Sequence, residues 1–212
     1  MKYKPSLTNK YSTHSQMLSK ISSGSNVLDI GCAQGYLDEY LLKELKCEVY
    51  GIDLEKEAAK KAKKFCKDVL IGDVEEILKK GFPWKITFDY ILLGDILEHL
   101  IDPEAALRRL KTYLKPNGVI IISLPNIAYL PVRLNLLFGK FEYTNVGIMD
   151  STHLKFFTRN SMNKMFESCG LKLTDQKGVG HLSGIFGLIG SKLDQLMPTL
   201  SAVQIISVVT KK

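Results

Sequence analysis

Short apolar runs alternate along this chain with longer segments in which apolar residues recur at helical spacing. Runs of four to eight apolar residues that end at glycine or aspartate are typical of buried strands. They predict strands over residues 26–30, 48–52, 69–71, 88–93, 119–124, 171–176 and 204–209. The helical spacing predicts helices over about 8–21, 37–45, 55–66, 103–114 and from 158 or 160 to 169.

Cap and turn residues mark several of these boundaries. Asp102 precedes Pro103, which favours an N-cap followed by proline in the first turn of a helix. Gly170 is placed to end the last predicted helix. The stretch Lys115-Pro116-Asn117-Gly118 predicts a turn before the fifth strand.

The order of the elements predicts the fold class. Strands that alternate with helices favour an α/β fold, a parallel sheet covered by helices on both faces. The last two predicted strands lack a helical crossover of the usual kind between them. We therefore expect them to pair antiparallel at one edge of the sheet.

Length and composition are those of one ordinary globular domain. The chain has 212 residues, of which 45% are hydrophobic and 24% charged, a composition that excludes a disordered tail, a collagen-like fibre and a disulfide scaffold. No two of the four cysteines have C-x-x-C spacing, so no metal site is predicted. Scattered thiols without an apolar leader predict a cytoplasmic protein.

The net charge of +7 raises the question of an acidic partner. Six lysines between residues 56 and 67 account for much of it, and they share their predicted helix with Glu55 and Glu57. A solvated outer helix explains this pattern better than a nucleic-acid surface. No apolar run is long enough to span a membrane. The apolar stretch 182–200 is interrupted by charges and proline, which leaves peripheral membrane contact open.

A glycine-bearing loop follows the first predicted strand, in the stretch Val-Leu-Asp-Ile-Gly-Cys-Ala-Gln-Gly at 27–35. Glycines let a ligand approach the main chain, and the loop leads into a helix N-terminus. A P-loop is excluded because no Gly-Lys-Ser/Thr follows. The nicotinamide fingerprint fails because its last glycine comes one position early, which disfavours an oxidoreductase.

Acidic residues follow three further strands. Asp53 stands where a carboxylate can accept both hydroxyls of a ribose. Asp73, next to Val74, suits an adenine ring and its amino group, and Asp95 follows the fourth strand. Because the carboxyl ends of parallel strands meet at one edge of the sheet, we expect these residues to lie around one nucleoside ligand.

In combination these segments resemble the class I S-adenosylmethionine-dependent methyltransferases. The resemblance covers residues 26–126, and its one departure is Ala33 at the usual middle glycine of the loop. It implies a seven-stranded sheet of order 3-2-1-4-5-7-6 with an antiparallel last strand, and S-adenosylmethionine as methyl donor. The implied donor site comprises Asp29, Gly31, Cys32, Ala33, Gln34, Gly35, Asp53, Leu54, Asp73, Val74, Gly94, Asp95 and Ile96.

Residues 126–158 resemble a branch of small-molecule methyltransferases, many of which are associated with glycan biosynthesis, while others methylate quinones or related hydroxylated rings. We expect one domain: residues 1–25 as a helical N-terminal cap, 26–126 as the donor-binding core, 127–157 as an acceptor-side cap and 158–212 as a C-terminal helix with edge strands. Asn126, Tyr129 and Arg133 are the candidate substrate contacts.

The expected reaction is O-methylation of a sugar, glycan precursor or similar hydroxylated metabolite. An acceptor hydroxyl must lose a proton, and an imidazole suits that role. His153, oriented by Asp150, is the first candidate base, and His99 is the second. Two alternatives stay open: an RNA methyltransferase, and a donor-binding protein without catalysis. The oligomeric state is not predicted.

Overall fold

The computed structural model of the chain describes residues 9–180 and 196–212. Seven strands form one sheet in the order β3-β2-β1-β4-β5-β7-β6, which confirms the predicted order. Strand β7 runs antiparallel to both β5 and β6, whereas the other pairs are parallel. The strands are β1 Asn26–Ile30, β2 Glu48–Asp53, β3 Asp68–Ile71, β4 Phe88–Gly94, β5 Leu114–Pro125, β6 Leu171–Val179 and β7 Gln204–Lys211.

Helices cover both faces of the sheet, and each strand prediction is confirmed with small shifts at its ends. The first helix is shorter than predicted, and two helices, α4 and α6, are absent from the prediction. A third, α8, overlaps the end of the apolar stretch 182–200, which the sequence predicts as an amphipathic helix and most of which lies outside the described residues. The helices are α1 Thr13–Leu18, α2 Tyr36–Lys43, α3 Lys56–Ala62, α4 Val74–Lys80, α5 Pro103–Leu110, α6 Leu130–Leu137, α7 Arg159–Ser168 and α8 Pro198–Ser201, with 3₁₀ turns at Leu97–His99 and Lys111–Tyr113.

Two predicted helix starts are confirmed by their cap hydrogen bonds. The carboxylate of Asp102 accepts a hydrogen bond from the Ala105 amide at 2.9 Å. The hydroxyl of Thr158 accepts from the Ser161 amide at 3.1 Å, and the Thr158 amide donates to the Ser161 hydroxyl at 2.9 Å. This reciprocal capping box fixes the start of α7.

The turn predicted at residues 115–118 is wrong. These residues lie within β5, where Leu114 pairs with Phe88 and Val119 pairs with Tyr90. Four residues of β5 therefore stand opposite one residue of β4, and the extra length is taken up as an irregularity in the ladder. A bulge tolerates proline and glycine in a strand, which is why turn-forming residues occur here without ending the sheet.

The core lies on both faces of the central strands. On β1, Leu28 packs into one buried cluster with Phe88 and Leu107, whereas its neighbour Val27 packs into another with Met17 and Leu41. Successive side chains of a strand point to opposite faces, so a continuous apolar run is what a doubly covered sheet requires.

The lysine-rich helix is a solvated surface, as predicted. All six lysines between residues 56 and 67 are exposed, while Ala58, Ala59 and Ala62 pack inward. Lys60 pairs with Glu57 at 2.7 Å and Lys67 with Glu48 at 3.1 Å. Within residues 9–180 and 196–212, no helix is long and apolar enough to cross a membrane. Most of the apolar stretch 182–200, the candidate for peripheral membrane contact, lies outside the described residues.

Candidate functional site

A cavity of about 540 Å³ opens at the carboxyl ends of β1, β2 and β4, within the size range of small-molecule sites. Its lining includes the glycine loop after β1 and five residues of the segment 146–153. Side chains from α1 and β7 complete the lining, with His14 and Gln204 among them. The site therefore forms where open parallel sheets bind ligands.

The glycine loop follows a left-handed main-chain path. Gly31 has φ of +78°, Ala33 +49° and Gly35 +80°. A Cβ atom at Gly31 would lie 2.2 Å from the Cδ1 atom of Ile96, so the Ile96 side chain would have to move, and the positive φ of Gly31 itself favours glycine. Ala33 keeps the left-handed conformation of the glycine that it replaces, at a cost of about 1 kcal/mol or more.

Asp53 holds this unfavourable conformation in place. Its Oδ2 atom accepts a hydrogen bond from the Ala33 amide at 2.7 Å, and its Oδ1 atom accepts from the Glu55 amide at 2.8 Å. An ionised carboxylate has about four lone-pair positions, so two remain for the hydroxyls of a ribose. The small loop residues and this carboxylate, which lines the cavity, fit a nucleoside donor.

Asp95 lies at the floor of the cavity in a left-handed conformation, with φ of +57°. The Ser123 hydroxyl donates to its Oδ1 atom at 2.8 Å, and the Gln204 amide nitrogen donates to its Oδ2 atom at 2.7 Å. Gln204 also pairs with the Thr13 hydroxyl. Sequence reasoning missed Gln204 because it comes from a strand 109 residues further along the chain.

The cavity brings together most of the predicted donor site and leaves out five of its members. Asp29, Gly31, Cys32, Ala33, Asp53, Gly94, Asp95 and Ile96 line it; Gln34, Gly35, Leu54, Asp73 and Val74 do not. Asp73 is exposed and caps α4, its Oδ1 atom accepting from the amides of Glu75 and Glu76. Adenine recognition by Asp73 and Val74 stays a prediction.

The three predicted substrate contacts also lie outside the cavity lining. Asn126 is fully buried; its amide nitrogen donates to the Ala202 carbonyl at 2.9 Å and its Oδ1 atom accepts from the Ala128 amide. The Arg133 Nε atom donates to the Ala128 carbonyl at 2.6 Å, and Tyr129 precedes α6. Asn126 thus fastens the chain after β5 to the segment before β7, and substrate contact by Asn126, Tyr129 and Arg133 stays a prediction.

His99 and His153 meet at the cavity wall, with ring centroids 4.9 Å apart. The sequence predicts that Asp150 orients His153, but the partner of the His153 Nδ1 atom is the Ile148 carbonyl, at 3.0 Å. The Oδ1 atom of Asp150 accepts from the amide and hydroxyl of Thr152 at 2.9 and 2.7 Å, and orientation of His153 by Asp150 stays a prediction. Burial lowers the pKa of His153, so its ring is neutral at pH 7.

The charge of the cavity is acidic. Its lining includes five carboxyl groups, and no lysine or arginine of the described residues joins them. A cationic ligand or a neutral one suits this lining, whereas a phosphate-rich polymer would meet repulsion. Arg133 and the exposed Lys140 and Lys155 do not reach the cavity. The five carboxyl groups belong to Asp29, Asp53, Asp95, Glu98 and Asp150.

Asp29 and Asp38 form a buried acidic pair below the glycine loop. Both side chains are almost completely buried. Burial, and the neighbouring Asp38 carboxyl, raise the pKa of Asp29 well above its usual range. Burial raises the pKa of Asp38 from 3.8 to about 6. At neutral pH the folded protein therefore carries a buried negative charge here that destabilises it.

Asp38→Asn is expected to stabilise the protein at pH 8 by up to about 3 kcal/mol, and to do so much less at pH 5. Because the pKa of Asp38 is higher in the folded state, that state binds more protons, and stability falls as the pH rises through about 4 to 6. Asparagine removes this loss. Denaturant unfolding from pH 4 to pH 8 measures it. The control is Glu39→Gln, which alters an exposed side chain paired with Lys43 and should have the same dependence of stability on pH as the unmodified protein. If Asp38→Asn also had that dependence, the raised pKa of Asp38 would be contradicted.

Comparisons with known proteins agree with this geometry. The sequence model of a family described as "Methyltransferase domain" matches residues 8–176. The ubiquinone biosynthesis O-methyltransferase of Neisseria meningitidis serogroup C is 28% identical over 178 residues, which cover 79% of this chain and 73% of that protein. The protein of the same name from Bradyrhizobium diazoefficiens is 31% identical over 159 residues. These residues cover 74% of this chain and 62% of that protein. A SAM dependent methyltransferase from Archaeoglobus fulgidus has the same fold, with a TM-score of 0.60, 21% identity, and coverage of 94% and 95%.

Proposed function

The chain belongs to the methyltransferase domain family and is an S-adenosylmethionine-dependent enzyme, and from this premise we propose that it methylates a hydroxyl group of a small, ring-shaped acceptor. The observation that carries the proposal is the position of His99 and His153. They line the same cavity as the glycine loop and Asp53, His99 from the 3₁₀ turn after β4 and His153 from the segment 146–153. One end of the cavity is thus suited to the donor and the other to a hydroxyl.

The chain's own residues provide binding and alignment. When bound, S-adenosylmethionine supplies a methyl group already activated on a positively charged sulfur. The glycine loop and Asp53 hold the donor, and the acidic lining favours its positive charge. Positioning of the two reactants is worth up to about 7–11 kcal/mol of the barrier. His99 and His153 lie where the acceptor hydroxyl must be bound and relieved of its proton.

The chemistry of the acceptor follows from the lining and from the relatives. Without a lysine or arginine in the described part of the cavity wall, a neutral hydroxylated molecule is favoured over a phosphorylated one or RNA. Phe141, Tyr143 and Phe156 form an aromatic cluster beside His153, with the His153 and Phe156 centroids 6.3 Å apart. Such a cluster suits a flat ring. The relatives are named for ubiquinone biosynthesis, which supports a ring hydroxyl over a sugar, the other acceptor class that the sequence resemblance implies.

The test is a methyl-transfer assay with three acceptor classes offered in parallel: dihydroxybenzoates with a hydrophobic substituent, free sugars, and RNA. We expect S-adenosylhomocysteine formation and a methylated product with the first class. Product with sugars or RNA alone would overturn the proposed acceptor. Calorimetry with S-adenosylhomocysteine, run alongside, separates the alternatives, since one-site binding with no product from any class would favour a donor-binding protein without catalysis.

A further inference from the structure

The buried acidic pair of Asp29 and Asp38 lies next to the donor end of the cavity. Asp29 lines the cavity at the end of β1 and is 3% exposed, and Asp38, in the first turn of α2, is fully buried. Each carboxyl group is within hydrogen-bonding reach of the other. The glycine loop connects β1 to α2, so a charge on this pair acts on whatever the loop binds.

The charge of Asp38 has little to stabilise it. Both of its carboxylate oxygens are buried, and neither has a hydrogen-bond partner in good geometry among the described residues. The Asp29 carboxyl and the Cys66 thiol are the groups close enough to share a proton with it. The other titratable groups that act on the pair are Asp53 of β2 and the thiol of Cys32 in the glycine loop. None of these groups carries a positive charge.

The pair changes its charge close to neutral pH. Burial raises the pKa of Asp38 to about 6, and burial together with the Asp38 carboxyl raises the pKa of Asp29 well above its usual range. Below about pH 6 the pair is therefore neutral, and near pH 7 it carries one negative charge. A buried charge without a cation destabilises the fold. Groups with a strongly perturbed pKa at a cavity are typical of functional sites.

The donor and its product differ in charge. S-adenosylmethionine carries a sulfonium, an ammonium and a carboxylate, and therefore has a net positive charge. On methyl transfer the sulfur keeps the electron pair of the broken C–S bond and loses its charge, so S-adenosylhomocysteine has no net charge. A negative charge beside the donor end attracts the donor through this difference and leaves the product unaffected.

We propose that Asp38 determines the preference of this site for the cationic donor over the neutral product. Paired with Asp29, its carboxylate supplies a buried negative charge beside the donor end of the cavity. Binding of the donor favours the ionised pair and releases a proton when the pair is protonated, whereas the product does neither and is held less tightly. The inference rests on the S-adenosylmethionine dependence of the chain and is independent of the acceptor.

Calorimetry on the full chain, with the donor and the product titrated separately, tests this preference. Between pH 5 and pH 7, below the titration range of an α-amino group at about 7.7–8.0, the affinity for the donor should rise about fivefold and that for the product should change by less than about twofold. Repeating the donor titration at about pH 5.5 in acetate and in MES, whose ionisation enthalpies differ, should show release of about half a proton. A preference of about tenfold for the ionised pair gives these values.

Asp38→Asn keeps the shape of the side chain and removes its charge. At pH 7 this variant should bind S-adenosylmethionine about tenfold more weakly, while its affinity for S-adenosylhomocysteine changes by less than about twofold. The rise of donor affinity with pH and the proton release should both be lost. Glu39→Gln is the matched control, because it removes the same charge from the next residue of α2, where the side chain is exposed; it should bind both ligands as the unmodified protein does.

Two results would overturn the proposal. One is an unchanged preference for the donor in Asp38→Asn. The other is a rise of donor affinity with pH that persists in that variant, which would assign the effect to another cavity group such as Glu98, whose pKa burial also raises. Absence of binding by either ligand to the unmodified chain would contradict the S-adenosylmethionine dependence and this inference with it, and is a different result from binding without preference.

Discussion

His153→Ala is expected to lower kcat for methyl transfer by about 10²–10⁴-fold, the range typical of a group that assists proton removal. His153 lines the cavity, and its ring centroid lies 4.9 Å from that of His99. The loss is expected because the proposed function places this ring where the acceptor hydroxyl must lose its proton. Steady-state kinetics with the acceptor found in the methyl-transfer assay give the measurement.

The donor end of the cavity should be unaffected in this variant. The dissociation constant for S-adenosylhomocysteine is expected to change by less than about twofold, because His153 lies on the acceptor side. Lys155→Gln is the control, since its exposed side chain lies two positions away and does not line the cavity. Full turnover in His153→Ala would show that this wall plays no part in the chemistry.

Gly35→Ala is expected to lower the free energy of unfolding by about 2–4 kcal/mol. Gly35 has φ of +80°, which costs a residue with a side chain about 1–3 kcal/mol. A Cβ atom there would also lie 2.9 Å from the Ala62 Cα atom and 2.9 Å from the Phe65 ring. Because the Ala62 Cα atom belongs to the main chain of α3, a side-chain rotation does not relieve this contact. Denaturant unfolding measures the loss.

Gly24→Ala separates the two causes. Gly24 has nearly the same φ, +74°, but a Cβ atom added there would have nothing within 4 Å of it. The free energy of unfolding of Gly24→Ala should therefore fall only by the cost of the unfavourable φ, about 1–2 kcal/mol. Equal losses of unfolding free energy in the two variants would show that the contact with Ala62 and Phe65 adds nothing. An unchanged free energy of unfolding in Gly35→Ala would show that this position is not strained.

The helix α4 has a local signal in the sequence that admits two interpretations. Asp73 precedes an acidic first turn, Lys79 and Lys80 occupy the last turn, and Gly81 follows with φ of +83°. These are the start and stop signals of a helix. Asp73 also follows a strand, which favours a ligand contact, and a residue at that position can serve either purpose. Only the geometry shows that its carboxylate caps the helix.

The helix α6 has a proline in its first turn and Gly139, with φ of +74°, after its end, but it lacks the apolar face that identifies a helix by periodicity. Its apolar residues do not form one face, and Leu134, Leu136 and Leu137 stay exposed. Helical periodicity identifies a helix only when one face is buried. Because α6 packs little of its apolar surface against the described residues, its sequence shows no helical periodicity of apolar positions.

The sequence by itself determined the strands, their order through the family resemblance, the glycine loop, and the placement of Asp53 and Asp95 at one edge of the sheet. These follow from local properties: apolar runs, small residues and the fixed direction of parallel strands. The tertiary structure alone decided three further features: the contact of His99 with His153, the burial of the Glu98 carboxyl without a hydrogen-bond partner among the described residues, and the structural hydrogen bonds of Asn126. Each depends on contacts between segments that are distant in sequence. The path of the chain after β5 decides which side chains come into contact and which are buried.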